Sequence, residues 1–345
     1  MLILVSKIFL LYFNKFIKNK GEMMGAFDAL LGYVIDLNFV THEAMIEAAL
    51  LWQIEEYQFD NGTFKGSINA VHTSHMQIAY SSRSNGIFIK GKTPKNAYLF
   101  AFIESEGKIT HNGLSVYADE LVVLNDEDEL DFIVSSAVND VSIAIDKEFF
   151  DTAFQDYFNE QFDYDKVNKR IQLIDNGEFS FRTSAKEILN DLITKNEKLR
   201  NDPTFHEKSE YDILQILFQN IDPLKERKKV LESEINANEI RKYIEMNYKN
   251  NISINELCSV NKLSESTLRL GFNTLFGLSP KQYHQSYRLG KVHHAFLQND
   301  CSVATVGSIA YDHGFTHMGR FGSKYKSMFG ITPSCTLKES SSFVQ

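Results

Sequence analysis

Residues 253–333 carry one pattern twice, and this duplication constrains the chain more than any other feature. The first copy, SINELCSVNKLSESTLRLGFNTLFG, covers 253–277; the second, SVATVGSIAYDHGFTHMGRFGSKYKSMFG, covers 302–330. Each has a short helix with one apolar face, a tight turn, and a second helix that ends in Phe-Gly. That is the layout of a helix-turn-helix, whose second helix enters a DNA major groove. Two in tandem predict a surface that reads two adjacent grooves.

The net charge of -9 argues against such a surface until it is divided along the chain. From residue 225 onward there are 16 Lys+Arg against 10 Asp+Glu, a balance of +6, and the remainder carries 20 against 35, or -15. A basic C-terminal part joined to an acidic N-terminal part predicts a nucleic-acid module attached to a domain that avoids nucleic acid. With 345 residues, two domains are expected. Cys258, Cys301 and Cys335 form no CxxC pair, which excludes a disulfide framework and a Cys-based zinc site and fits the cytoplasm. There is no GxSxG turn and no phosphate-binding Gly loop, so neither an enzyme nor a cofactor is expected.

Residues 1–24 are apolar, but Lys7 interrupts them and the basic residues follow the apolar run. A secretory signal has the reverse order, and a membrane span needs about 20 apolar residues. An over-extended start, an amphipathic helix and an anchor remain as readings, with the first preferred; no membrane partner is expected. From Leu50 to Ile145, short runs rich in Ile, Val, Phe and Tyr alternate with turn signals such as Asn61-Gly62, Asn85-Gly86 and Asn112-Gly113. These runs predict a small β-barrel, cupin-like, or a sandwich. The Asn112-Gly113 pair is the strongest hairpin signal. From Lys147 the period turns helical in FFDTAFQDYF, SAKEILNDLITKNEKL and SEYDILQILFQNI. The fold class is therefore α+β with two domains: a β-rich unit with following helices over 25–221, a connector over 222–237, an all-α tandem helix-turn-helix unit over 238–338, and a tail over 339–345.

Within the helical unit, a helix is expected from about Asn238 to Tyr248. Ser253 and Glu256 read as a capping box, Leu257 and Val260 as the core face of the next helix, and Ser264 as the cap of the first recognition helix. Leu268, Phe272 and Leu275 point inward; Ser266, Thr267, Arg269, Leu270 and Asn273 point outward. Ser279-Pro280-Lys281-Gln282 opens a bridging helix to about Gln298. In the second copy, Val303, Val306, Ile309 and Ala310 form the packing face, Gly314 makes the turn and Phe315 plugs it. Phe321, Tyr325 and Met328 face inward, and His317, Met318, Arg320, Ser323 and Lys324 face outward.

At these residues the chain resembles the AraC/XylS family of bacterial transcription regulators. Leu268 with Phe272 and Gly277-Leu278-Ser279-Pro280 carry the resemblance in the first copy. Ile309-Ala310, Gly314-Phe315, Phe321 and Phe329-Gly330-Ile331-Thr332-Pro333 carry it in the second. It covers about a hundred residues, 238–337. A weaker similarity, to the subgroup containing ethanolamine-utilisation regulators, rests on Trp52, Tyr57-Gln58, residues 62–66 and 329–337. The resemblance implies a transcription activator with an N-terminal effector-binding and dimerisation domain. It also implies a homodimer, promoter DNA, a small-molecule effector and RNA polymerase as partners.

Candidate base contacts are Ser266, Thr267, Arg269, Leu270, Asn273, Met318, Arg320 and Ser323. Arg269 and Arg320 suit guanine O6/N7, and Leu270 suits a thymine methyl; each Arg equally suits phosphate, which positions without specifying. Ser264, Lys281, Arg288, Lys291, His317, Lys324 and Lys326 are candidate phosphate contacts. His293-His294 read as surface residues near DNA. Trp52, Tyr57, Tyr80, Phe88, Phe100 and Phe102 are candidates for an effector pocket or for core. His72, His75 and His111 lack metal-ligand spacing, so no metal is expected. Two other readings stand beside the main one. The β domain dimerises without sensing a ligand, or it is a cupin-like metalloenzyme fused to a DNA-binding module.

Overall fold

A computed structural model describes residues 27, 30–49, 51–167, 169–174, 181–222, 231–299, 301 and 303–341. The expectations for 1–24, for 223–230 of the connector and for 342–345 lie outside these residues.

The N-terminal part folds into two antiparallel sheets. In spatial order, the larger contains β1 (Val34–Phe39), β3 (Gly66–His72), β4 (Met76–Arg83), β11 (Val138–Asp146), β6 (Ala97–Ser105), β9 (Glu120–Asn125), β12 (Arg170–Leu173) and β13 (Ile221–Asp222). The smaller contains β2 (Gln53–Gln58), β5 (Ile87–Lys92), β10 (Glu129–Val134), β7 (Ile109–His111) and β8 (Leu114–Ser115). Among the described residues no ladder joins the two, so the unit is an open sandwich rather than a closed barrel. The Asn112-Gly113 turn joins β7 to β8 with both residues at positive φ, 52° and 71°, as a two-residue hairpin requires.

Alternation along the strands gives the large sheet two unlike faces. The row Val71, Ile78, Ile143, Phe100 and Val123 crosses five strands and packs beneath three helices. With α1 (His42–Ala48), α3 (Tyr164–Val167) and α5 (Asn196–Asn201) completing the helices of this unit, the three are α2 (Lys147–Phe158), α4 (Phe181–Thr194) and α6 (Pro203–Asn220), which bring Phe150, Phe154, Leu189, Ile213 and Leu217. Each such buried side chain contributes about 1.5–3 kcal/mol. One residue along, the opposite face carries the row Ala70, Ala79, Ser142, Ala101 and Val122. Four small side chains abreast cannot fill the space up to the second sheet, and a cavity of about 130 Å³ results.

The helical unit begins with α7 (Glu232–Met246), six residues before the expected start, so the end of the segment read as connector is helix. It continues through α8 (Ile254–Val260), α9 (Glu265–Phe276), α10 (Pro280–Gln298), α11 (Val306–Asp312), α12 (Met318–Phe329) and α13 (Pro333–Ser341). The bridging helix α10 starts as expected, with Ser279 and Gln282 in a reciprocal capping box and Pro280 in the first turn. Its 19 residues span about 28 Å.

The two units share one core. Tyr57, Phe59, Phe88 and Ile133 of the small sheet pack with Ile240, Ile244, Phe272, Phe276 and Tyr283 of the helices. Polar groups fix the seam. Arg241, 1% exposed, donates from Nη1 and Nη2 to the two oxygens of Asp131 at 2.8 and 2.6 Å. Glu245 accepts from Tyr283 at 2.6 Å and from Lys90 at 2.9 Å. At the far end, Gln58 Nε2 and the Gly62 amide both donate to the Met328 carbonyl of α12, at 2.6 and 3.1 Å.

Removing Asp131 leaves both ends of the buried Arg241 fork without their bonds, with Glu245 at 3.3 Å from Nη1 the remaining carboxylate. Asp131→Ala should lower unfolding free energy by about 3–5 kcal/mol in denaturant titrations, whereas replacing both Asp131 and Arg241 by aliphatic residues should cost far less.

Candidate nucleic-acid interface and effector cavity

In the first helix-turn-helix, Ser253 caps α8 by accepting from the Glu256 amide. The Glu256 carboxylate does not close the expected box; it accepts from the Tyr243 hydroxyl at 2.7 Å. Leu257 is buried, but Val260 turns outward at the helix end, 37% exposed. Ser264 caps α9 by accepting from the Thr267 amide at 3.1 Å. Leu268, Phe272 and Leu275 are buried, while Ser266, Thr267, Arg269, Leu270 and Asn273 are exposed along the other side. Leu270, 68% exposed, is an apolar side chain held out to solvent in a row of polar ones. Arg269 is tied back to Glu265 one turn earlier at 2.6 Å. Gly271 faces α7, where a Cβ would meet Ala237 at 3.4 Å, an ordinary contact that an alanine could make.

The second copy repeats the core and changes the surface. Ile309, Ala310, Phe321, Tyr325 and Met328 are buried; Val303 lies ahead of α11 and is 87% exposed, outside the packing face expected of it. Gly314 holds φ +79°, and a Cβ there would lie 1.9 Å from the Lys249 carbonyl, so the turn admits only glycine. Phe315 packs on Phe321 at 4.7 Å between ring centroids. His317 occupies the N-cap position of α12 without a side-chain bond to the helix. Met318, Arg320, Ser323, Lys324 and Lys326 are exposed.

Between the copies runs a groove lined by Lys281, Arg288, His317, Arg320 and Lys324. Desolvation first, then the neighbouring cations Lys281, Arg288 and Arg320, hold the Lys324 ammonium below the ordinary lysine range. An anion entering the groove would relieve that repulsion. Arg288 also has internal work: it donates to the carbonyls of Tyr248 and Asn250 and, at 3.3 Å, of Gly314, which ties α7 to the second turn. Lys291 is absent from the groove; it reaches the other unit, donating to the Tyr57 hydroxyl at 3.0 Å and lying 3.6 Å from Glu55. His293, expected at the surface, is half-buried between Tyr325 and Glu43 and stacks on Phe329.

A family model described as a helix-turn-helix domain matches residues 257–339. The XylDLEGF operon transcriptional activator of Pseudomonas putida is 35% identical over 97 residues, which cover 28% of this chain and 30% of that protein. The XylDLEGF operon transcriptional activator 2 of the same organism is 30% identical over 125 residues, 36% of this chain and 77% of its own length. The chain belongs to the AraC/XylS family of transcription regulators. It spans under a third of the length of the first of these relatives. A solved probable AraC family transcriptional regulator from Rhodopseudomonas palustris is 29% identical, covering 31% of this chain and 97% of that one, with a TM-score of 0.29. For this AraC/XylS member, the stretch matched by the family model contains both recognition helices and the groove's Lys281, Arg288, His317, Arg320 and Lys324.

The cavity lies in the other unit, between the sheets. Of the six aromatic candidates only Trp52 lines it. Tyr57 and Phe88 point from the same small sheet into the helical unit. Phe100, Phe102 and Tyr80 lie on the helix-covered face of the large sheet. The walls are instead aliphatic, with Ile54, Ile89, Leu99, Ile103 and Leu130 among them, and a polar corner holds Gln77, Ser81, Arg83 and Asp140. Sequence patterning had one usable signal for this: the small residues of QIAYSS and VSIAID, which alternate with large ones in paired strands.

A chain of hydrogen bonds leads from the cavity to the edge of the sandwich. Trp52 Nε1 donates to Gln77 Oε1 at 2.9 Å, Gln77 Nε2 donates to His72 Nε2 at 2.9 Å, and His72 Nδ1 meets the Tyr33 carbonyl at 3.2 Å. His75 instead stacks on Phe149 and contacts Glu210 at 3.0 Å, and His111 lies 3.0 Å from Arg170.

Burial holds His72 down to about 4. The unfolded chain takes up this proton near 6.5 and the folded chain only near 4, so stability falls as pH drops through that window. Between pH 6.5 and 5 the loss from this group should be about 1–2 kcal/mol. Burial holds His284 down to about 4 as well, so the loss measured by denaturant unfolding at the two pH values should be smaller by that increment in His72→Gln than in the unmodified protein.

Proposed function

We propose that this AraC/XylS member is a promoter-binding activator whose sandwich senses a small-molecule effector. The reading rests above all on the small sheet. Ile54, Ile89, Leu130 and Phe132 line the cavity from β2, β5 and β10. The intervening residues of the same strands, Tyr57, Phe88, Asp131 and Ile133, contact the DNA-binding unit. A single layer of backbone separates effector from reader. An occupant that displaces the strands acts on the seam directly, provided it binds the two arrangements with different affinity.

Activation, a homodimer, contact with RNA polymerase and action in the cytoplasm complete the proposal. The Pseudomonas putida relatives are operon transcriptional activators by name, which supports the sign of regulation. Among the described residues no helix is long and apolar enough to cross a membrane. On DNA, Arg269 and Arg320 read bases, with Ser266, Thr267, Leu270, Asn273, Met318 and Ser323 around them. Lys281, Lys324, Lys326 and His317 hold phosphates, assisted by Arg288 where its internal bonds allow.

Two measurements test this. In fluorescence anisotropy with a promoter fragment, Arg269→Ala should lose about 1–3 kcal/mol of discrimination at one base pair, while Lys324→Ala should weaken all sequences alike and flatten the log-log salt slope by about 0.9. Ala101→Met fills the cavity without touching the seam. It should change promoter affinity by about fivefold or more. An unchanged affinity would mean that the sandwich does not sense through this cavity.

A further inference from the structure

The polar corner of the cavity has an unequal charge count. Arg83 Nε donates to both oxygens of Glu56, at 3.0 Å each, and Nη1 donates to Asp140 Oδ1 at 2.9 Å and to Ser81 at 2.7 Å. His42 Nδ1 meets Glu56 at 2.6 Å from the other side. Its Nε2 is buried and has no partner among the described residues. Two carboxylates therefore share one guanidinium. Glu56 is fully enclosed, whereas Asp140 keeps 22% of its side chain open and lines the cavity. Ser81 and Arg83 both end on Asp140 Oδ1, which leaves Oδ2 as the acceptor for whatever enters.

Resting on the reading of the cavity as the effector site, we propose that its ligand is a compact apolar molecule with one protonated amine, seated on Asp140, and that carboxylates are excluded. An ammonium at Oδ2 brings the corner to neutrality. A ligand carboxylate would be the third around one guanidinium and would face Glu56 and Asp140 with like charge. Burial already holds the Asp140 carboxyl above the ordinary aspartate range despite Arg83, with Glu56 adding to the shift, so a cation there removes an existing penalty. The aliphatic walls supply no other polar partner along most of their extent. A space of about 130 Å³ is close to the engineered cavity of about 150 Å³ that takes benzene, so one six-membered ring with its head group is the appropriate size.

Trp52 is the only tryptophan in the chain and lines the cavity, so its fluorescence reads occupancy directly. The full chain is titrated with cyclohexylamine, cyclohexanol and cyclopentanecarboxylate, which are similar in size and transparent where indole absorbs. The amine should bind tightest, about tenfold more tightly than the alcohol, with the carboxylate weakest; Asp140→Asn should remove the amine's advantage and leave the alcohol within about twofold. Tightest binding by the carboxylate overturns the proposal while keeping the cavity as a ligand site. An alcohol that binds as well as the amine also overturns it, because Asp140 then carries no charge to a ligand. If none of the three perturbs Trp52, the effector reading itself falls. Where Asp140→Asn does not fold, the ranking of the three probes on the unmodified chain decides the class.

Discussion

Glu245 lies 3.3 Å from the guanidinium of Arg241, but the fork of this long, almost fully buried side chain closes on Asp131. The arginine comes from the first helix of the DNA-binding unit, the aspartate from a central strand of the small sheet. A lysine could not replace this arginine, because two parallel bonds to one carboxylate need a planar fork. The pair fixes the angle at which the helices meet the sheet. It also lets Tyr57, Phe88 and Ile133 complete the core of the first helix-turn-helix. The relative position of the two units is thus set by a contact that tolerates little sliding.

On the reverse of the same strands the packing is loose. On the large sheet that faces them, Ala79, Ser142 and Ala101 stand abreast in register, and the shortage of side-chain volume between the sheets is the cavity. The small sheet is therefore held tightly on one side and open on the other. Strain from the open side has one place to go.

The sequence made most strands of the sandwich legible, because β-branched and aromatic runs between Asn-Gly turns report pleated, half-buried chain. It did not reveal β3, whose GSINAVH mixes polar and apolar residues, or β1, which lies ahead of the stretch read as β. Nor did it reveal β12 and β13, too short to signal without their partners. Alternation also says which residues share a face but not what that face meets, which is how Tyr57 and Phe88 passed as pocket residues. The helix-turn-helix cores were legible nearly residue by residue, for Leu268, Phe272, Phe321 and Tyr325 recur at helical spacing. Lys291 and His293 were misplaced because their partners, Tyr57, Glu55 and Glu43, are more than two hundred residues away in sequence.

The Met328 carbonyl belongs to the last turn of the second recognition helix, where a helix has no N–H donors of its own left for its carbonyls. Gln58 and Gly62 provide its donors from the other unit. Beside its own left-handed Gly330 cap, that helix is thus finished from across the seam, and the order of its final turn depends in part on the junction between the units. Any loosening of the junction reaches the reading helix as fraying at its end, a change in the reader's length that needs no rigid-body motion. Amide exchange in that turn is then a local gauge of the state of the whole molecule.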